Sequence, residues 1–239
     1  MGRAHEVRAK KMAATSAAKS ALYMRASKEI YIAAKSGVPD PDSNLALRSV
    51  LEKFKGQNIP RDVIDRAIKK AAGGDTESYE AGRYEGFGPG SSILIVDTLS
   101  NNVRRAYDEV RNCFTKKGGH LGTPGSVAFN FNEVGLITFN GTNRDEVEEA
   151  LVLSDVDVQE VNLDDGVIEV IVAPQAFQQA KNCLKDLGIV DYDTCEITML
   201  PNDTVTLRGE EAQKMHNLLD ALDEAEDVQA VYHNAIFED

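Results

Sequence analysis

Residues 157–173 read DVQEVNLDDGVIEVIVA, and in this stretch two β-strand patterns, 157–163 and 167–173, flank the dipeptide Asp165-Gly166. Asp-Gly is a preferred two-residue loop of a β-hairpin because both of its positions adopt positive φ. Outward from the hairpin, the hydrophobic periods predict a strand and a helix before it and a helix and a strand after it, at 134–140, 144–154, 175–187 and 192–199. Strand–helix–strand–strand–helix–strand is the order of a ferredoxin-like fold, which is therefore predicted for this segment.

The N-terminal third of the chain has a helical period instead. Its apolar spacing predicts a long first helix over 15–36 and a second helix over 45–54. Pro60 begins a third helix, because at the first turn its missing N–H costs nothing, and Gly73-Gly74 ends it. Residues 1–74 are therefore predicted to form a three-helix region with a basic N-terminal arm.

Between these two regions the period is that of strands. Strands at 83–86 and 92–97 flank a glycine-rich turn, and a helix over 101–117 and a strand over 126–131 follow. The last helix and strand of the chain cannot belong to the ferredoxin-like segment, which already has its six elements. They are therefore assigned to the middle region, at 210–225 and 228–233.

The predicted fold class is α+β, with an N-terminal three-helix domain followed by two α/β domains of ferredoxin-like type, the third inserted into the second. The predicted domains are 1–78, the discontinuous pair 79–132 and 201–239, and the inserted segment 133–200. A chain of 239 residues is long enough for two or three domains, each with its own hydrophobic core.

Charge is distributed unevenly along the chain, although the formal net charge is −13. Residues 1–74 hold 15 Lys and Arg against 7 Asp and Glu, whereas residues 136–239 hold 5 against 24. A basic end on an acidic chain is typical of a protein that binds a polyanion, most often nucleic acid. The alternative is a helical arm whose charges are merely solvated.

The candidate nucleic-acid-binding side chains are the cations of the basic region and of the middle helix. They are Arg3, Arg8, Lys10, Lys11, Lys19, Arg25, Lys28 and Lys35, together with Arg104, Arg105, Lys116 and Lys117. The glycine-rich connection 118–126 adds a second kind of candidate, because glycine backbones can align N–H groups toward a phosphate. Its candidate residues are Gly119, Gly122 and Gly125; the alternative is a helix cap that leads into a strand.

Sequence motifs do not support the other classes of function. The four histidines have no metal-binding spacing, the three cysteines form no Cys-x-x-Cys, and no nucleophile motif occurs, so no enzyme, metal site or cofactor is predicted. No apolar run approaches the roughly 18 residues of a membrane span. We expect a cytoplasmic protein with no membrane partner, and a monomer rather than an obligate oligomer.

Several motifs together resemble those of the YebC/PmpR family. They are Glu29-Ile30-Tyr31-x-Ala33-Ala34-Lys35-x-Gly37, Asp40-Pro41-Asp42-x-Asn44, Arg83-Tyr84-Glu85-Gly86-Phe87-Gly88-Pro89-Gly90, Gly118-Gly119-x-Leu121-Gly122-x-x-Gly125-Ser126-Val127 and Asp227-Val228-Gln229-x-Val231-Tyr232-His233-Asn234. The resemblance runs nearly end to end and is greatest to the branch that begins Met-Gly-Arg. It implies a three-domain cytoplasmic protein without enzymatic activity. Members are commonly described as DNA-binding transcriptional regulators; others act on the ribosome, and mitochondrial members activate translation of cytochrome c oxidase subunit I.

The residues of the basic region favour RNA as the target. A sequence-specific reader of duplex DNA presents Arg, Asn or Gln to base edges, whereas the first helix presents Lys19, Arg25 and Lys28 among alanines and serines. Such a surface neutralises phosphates and suits structured RNA, which is recognised by shape, phosphate and ribose. We therefore favour a translation factor directed at the ribosome and its ribosomal RNA. The alternative is a DNA-binding transcriptional regulator, and a lesser alternative is a scaffold that binds proteins through its acidic region.

Overall fold

The computed structural model describes residues 16–74 and 77–238, with side chains from Ala18 onward. Within these ranges the chain forms two compact units, of which one is Phe129–Thr204 and the other consists of the residues before and after that segment. No helix in the described ranges is long and apolar enough to span a membrane. The division into three domains with boundaries near 78, 132 and 200 stays a prediction.

Three helices begin the described chain: α1 (Ser16–Lys35), α2 (Leu45–Lys53) and α3 (Arg61–Ala72). Asn44 caps α2, since its side-chain oxygen accepts from the N–H of Leu47 at 3.0 Å and its amide donates to the carbonyl oxygen of Ala33 at 2.8 Å. Ile30 and Leu47 are fully buried in the core that the helices share. The predicted N-terminal helices are confirmed, while the predicted basic arm before them lies outside the described residues.

A hairpin, a helix and a short strand follow, as β1 (Glu80–Phe87), β2 (Ile93–Ser100), α4 (Val103–Lys116) and β3 (His120–Leu121). The turn between β1 and β2 needs a glycine at Gly90, which has a φ of 63° and where a Cβ would lie 2.4 Å from Leu207 Cδ2. The turn is closed by the N–H of Gly88, which donates to the carbonyl oxygen of Ser92 at 2.8 Å. It joins two antiparallel strands, so the predicted turn is confirmed.

The unit Phe129–Thr204 contains, in chain order, β4 (Phe131–Asn140), α5 (Arg144–Leu153), β5 (Val158–Asp164), β6 (Val167–Val172), α6 (Phe177–Asp186) and β7 (Thr194–Pro201). Its strand order is β5-β6-β4-β7, and all neighbouring strands are antiparallel. Positive φ at Asp165 (45°) and Gly166 (79°) forms the two-residue loop between β5 and β6. The two helices pack on one core with the sheet, in which Ile137, Val170 and Leu184 are fully buried. This is the ferredoxin-like arrangement that the sequence predicts.

The chain then returns to the first sheet through β8 (Val205–Leu207), α7 (Gly209–Asp223), β9 (Val228–His233) and β10 (Ala235–Phe237). β9 pairs antiparallel with β2, so the first sheet has the order β3-β1-β2-β9, and β8 and β10 form a separate parallel pair. Val110 and Phe114 of α4 meet Leu218 of α7 in the buried core that covers this sheet. The assignment of the last helix and strand to the middle region is confirmed; the β8 and β10 pair was not predicted.

The predicted strand over 126–131 is wrong. Residues Ala128–Asn130 form a short 3-10 helix, and the strand begins only at Phe131, which pairs with β7. The N–H groups of Val127 and Ala128 donate to the carboxylate of Glu85 at 2.7 and 2.8 Å instead of to a neighbouring strand. In the first sheet, β3 takes the place beside β1.

Candidate nucleic-acid interface

Helix α4 separates an apolar face from a polar face. Its buried side chains are Ala106, Val110 and Phe114, which recur every four residues and so lie on one side of the helix. The N-cap residue Asn102 accepts a hydrogen bond from the N–H of Arg105 at 3.0 Å, which fixes the start of the helix. The polar face is left at the surface, beside a groove.

This groove is open and has a volume of about 730 Å³. Four of the predicted nucleic-acid-binding residues line it, namely Arg104, Arg105, Lys116 and Lys117. The remaining lining residues are Asn102, Asp108, Glu109, Asn112, Cys113 and, from α7, Ala221. We call these ten residues the α4 groove. Because residues four apart are neighbours on a helix surface, Arg104, Asp108, Asn112 and Lys116 form its outer row.

The cations at the two ends of the α4 groove are accessible to an anion. Arg104 is 89% exposed, and its Nε lies 3.8 Å from Asp108 Oδ2, a distance typical of a weak surface ion pair. Among the residues that the structure describes, Lys116 and Lys117 form no salt bridge. Four cations and two carboxylates line the groove; Arg105 is paired with Asp227 and lies 3.9 Å from Glu226 Oε1, so the accessible positive charge is that of Arg104, Lys116 and Lys117.

Arg105 is held in the α4 groove by a buried carboxylate. Its Nε and Nη2 each donate to Asp227 at 3.0 Å, in a two-pronged pairing. Asp227 is fully buried and also accepts hydrogen bonds from Lys28 Nζ at 2.7 Å and Ser100 Oγ at 2.8 Å. Burial, the largest single influence, acts to raise the pKa of Asp227, but the hydrogen bonds from Lys28, Ser100 and Arg105 together hold that pKa below its ordinary value.

The interpretation of Lys28 as a phosphate ligand is corrected by its position. Lys28 is only 6% exposed, and besides Asp227 its ammonium donates to the carbonyl oxygens of Leu99 at 3.1 Å and Glu226 at 3.0 Å. An ammonium with three internal acceptors has no free donor for a phosphate, because Lys carries three N–H bonds. Lys28 therefore joins α1 to the first sheet and is not part of the interface.

The interpretation of Arg25 as a phosphate ligand is also corrected, because its donors have partners within the protein. Its side chain is 12% exposed, and it donates to the carbonyl oxygen of Val228 at 2.7 Å and to Asp223 Oδ1 at 2.8 Å.

Lys35 is exposed but donates to Tyr31 Oη at 3.0 Å and to the carbonyl oxygen of Glu77 at 3.1 Å. Lys19 is an exposed residue of α1. The remaining predicted cations of the basic region lie outside the described residues; they are Arg3, Arg8, Lys10 and Lys11.

The glycine-rich connection encloses an anion, but the anion belongs to the protein. Glu85 is 7% exposed, and its Oε1 accepts from the N–H of Gly125 at 2.6 Å, while its Oε2 accepts from Val127 and Ala128. Desolvation, the largest influence, acts to raise the pKa of Glu85, but these backbone hydrogen bonds hold that pKa below its ordinary value. The N–H groups that were predicted to bind a phosphate are therefore used internally.

At the other two glycines, the atoms that lie close to the backbone also belong to the protein itself. A Cβ at Gly119 would lie 2.5 Å from the carbonyl oxygen of Phe87, and a Cβ at Gly122 would lie 2.4 Å from Ser126 Oγ. The N–H of Gly119 donates to the carbonyl oxygen of Phe114 at 2.9 Å, as expected for a helix cap. The assignment of Gly119, Gly122 and Gly125 to nucleic-acid binding is corrected: these glycines pack the connection against β1.

Sequence reasoning did not find the uncharged and acidic members of the α4 groove, notably Asn102, Asp108 and Asn112. For Asp108 and Asn112 the signal is the spacing of four residues through 104, 108, 112 and 116, which runs parallel to the buried spacing through 106, 110 and 114. A helical projection of the predicted helix would have placed these polar residues beside Arg104 and Lys116.

Two family models together match almost the whole chain. The model described as the TACO1/YebC protein N-terminal domain matches residues 3–74, and the model described as the TACO1/YebC second and third domain matches residues 79–235. The chain belongs to the TACO1/YebC family. The resemblance stated from the motifs is thereby confirmed, and so is the mixed α+β fold with N-terminal helices.

Relatives within the TACO1/YebC family match the chain along its full length. A protein of Mesoplasma florum named "probable transcriptional regulatory protein" is 50% identical over 237 residues, which are 98% of this chain and 99% of the relative. A protein of Vibrio cholerae with the same kind of name is 43% identical over 239 residues, all of both chains. The crystal structure of a conserved hypothetical protein from Aquifex aeolicus has a TM-score of 0.76 at 33% identity and covers 98% of this chain and 96% of its own.

Proposed function

We propose that this chain is a non-enzymatic regulator of gene expression that binds nucleic acid through the α4 groove. The observation that carries the proposal is that the accessible cations Arg104, Lys116 and Lys117 line one groove of a strongly acidic chain. Elsewhere an acidic surface repels a polyanion, so a basic groove directs a phosphate backbone to one place. The names of the relatives from Mesoplasma florum and Vibrio cholerae agree with a regulator.

The favoured target is RNA, and in particular the ribosome, with the protein acting as a cytoplasmic monomer. Arg104 and Lys116 neutralise phosphates, and the exposed polar residues described in α1 are lysine and serine rather than base-reading side chains. Structured RNA is recognised mainly by shape, phosphate and ribose, which suits such a surface.

Duplex DNA is the second candidate, and one specific observation favours it. Helix α4 leaves Arg111 and Asn112 exposed, and these are residue types that contact guanine and adenine edges in a major groove. The names of the relatives also point to transcription. Competition between ribosomes, a structured RNA and duplex DNA at one salt concentration distinguishes the two: we expect ribosomes to compete best, whereas preference for one DNA sequence would favour transcriptional control.

The groove itself is tested by replacing Lys116 and Lys117 together with Gln. Lys116 is the last residue of α4 and Lys117 caps it, and neither forms a salt bridge within the described chain, so the fold should be retained. Binding to ribosomes, RNA and DNA should all weaken, because two counterion-releasing contacts are lost. Replacement of Lys181 and Lys185, in α6, by Gln changes the net charge equally and should leave binding unchanged. Equal binding by the two double variants would refute the α4 groove as the interface.

A further inference from the structure

The outer row of the α4 groove has cations at its two ends and a carboxylate and an amide between them. Arg104 and Lys116 stand at its ends, about 18 Å apart for twelve residues of helix, and Asp108 and Asn112 lie between them. Asp108 is 52% exposed, so its carboxylate is accessible to a ligand. Asp108 also pairs with Arg104 four residues earlier, which supports the helix, but half of its side chain stays open to the groove.

A carboxylate restricts what can bind beside it. It accepts hydrogen bonds and donates none, and it repels a phosphate. A nucleic acid offers hydrogen-bond donors only on its bases and, in RNA, on the ribose 2′-hydroxyl. The ribose is attached directly to the phosphate, and Arg104 Nε lies only 3.8 Å from Asp108 Oδ2, so a phosphate on Arg104 brings its own sugar next to Asp108.

We propose that Asp108 selects RNA over DNA by accepting a hydrogen bond from a ribose 2′-hydroxyl of a strand whose phosphate is bound by Arg104. This inference rests on the proposed function, because it requires that the α4 groove binds nucleic acid. It adds a residue that distinguishes sugars to a surface of cations that do not. Base amino groups occur in RNA and DNA alike, so contacts to them would not produce this selectivity.

The test uses the full chain and three pools of single-stranded 20-nucleotide oligomers of randomised sequence: RNA, DNA and 2′-O-methyl RNA. One hydrogen bond to a charged acceptor predicts about tenfold tighter binding of RNA than of DNA. The 2′-O-methyl pool should bind like DNA, because the methyl group removes the donor and leaves the oxygen. The variant Asp108→Ala should reduce the ratio of RNA to DNA affinity to about one, with DNA bound no more weakly than by the unaltered chain.

Asp62→Ala is the matched control, since Asp62 is also an exposed helical aspartate with an arginine four residues away, in α3. It should leave the affinity ratio unchanged, and Asp108→Asn, which keeps an acceptor oxygen, should retain part of the selectivity. A ratio that Asp108→Ala does not change, or 2′-O-methyl RNA bound as tightly as RNA, would overturn the inference while leaving the proposed function in place. Failure of all three pools to bind would overturn the inference, whereas the proposed function is overturned only if ribosomes, structured RNA and duplex DNA also fail to bind.

Discussion

Replacing Lys28 with Met should destabilise the protein strongly without removing a nucleic-acid contact. The ammonium of Lys28 lies 2.7 Å from Asp227 Oδ1, and the side chains of the two residues are 7% and 0% exposed. Methionine has a similar length and no charge, so the substitution leaves a buried carboxylate without one of its cations and two carbonyl groups without their donor. Solvent screening is slight at this burial.

The size of the effect follows from what remains around Asp227. Removing one partner of a buried ion pair costs about 3–5 kcal/mol. Asp227 keeps its hydrogen bonds from Arg105 and Ser100, which favours the lower end, about 3 kcal/mol. For a chain of this length, each kcal/mol corresponds to about 2–4 °C in Tm, so Tm should fall by about 6–12 °C.

Urea and thermal unfolding followed by far-ultraviolet circular dichroism provide the assay, because the chain has no tryptophan for fluorescence. Lys19→Met is the control in the same helix, and its exposed side chain should change stability by less than about 0.5 kcal/mol. Two results would refute the reasoning: a Lys28→Met variant as stable as the control, or one that binds nucleic acid more weakly with unchanged stability.

Two further predictions concern the connection that surrounds Glu85. Glu85→Gln should lower the free energy of unfolding by about 2 kcal/mol, because the carboxylate accepts from three backbone N–H groups and an amide oxygen is a weaker acceptor. The pKa of Glu85 is lowered in the folded state. The carboxylate therefore stabilises the fold above the ordinary pKa of 4.5, and this stabilisation is lost as the pH falls through the lower folded pKa. Urea titrations should show that the variant loses less stability at acidic pH than the unaltered chain. Gly122→Val should lower Tm, because a Cβ at this position would lie 2.4 Å from Ser126 Oγ. At a temperature where the variant stays folded, it should bind nucleic acid normally. A loss of binding at unchanged Tm would show that Gly122 belongs to the interface.

The ferredoxin-like unit could be predicted from sequence because its signals are local. The alternating strand pattern, and the residue types that adopt positive φ at Asp165 and Gly166, can both be recognised within a few consecutive residues. The strand expected over 126–131 had the same kind of signal, but the competing acceptor, Glu85, lies about 40 residues earlier in the chain. A local pattern cannot show that a distant carboxylate will take the N–H groups of a segment.

The candidate site shows the same limit. Lys28 and Arg25 have the exposure pattern of phosphate ligands in a helical projection, yet their partners Asp227 and Asp223 are about 200 residues away in sequence. Arg104 and Lys116 are exposed on the helix that the sequence predicts over 101–117, since a helical spacing is local; that they bind nucleic acid stays a prediction. The groove beside them also depends on α7, which packs against α4 and contributes Ala221 to the lining.

The salt dependence of binding by the Lys116→Gln, Lys117→Gln double variant tests the central claim most directly. If both lysines contact phosphates, the slope of log affinity against log salt should fall by about 1.4 for single-stranded RNA and about 1.8 for duplex, relative to the unaltered chain. The Lys181→Gln, Lys185→Gln double variant should keep the original slope. An unchanged slope in the first variant, or an equal fall in both, would contradict the assignment of nucleic-acid binding to the α4 groove.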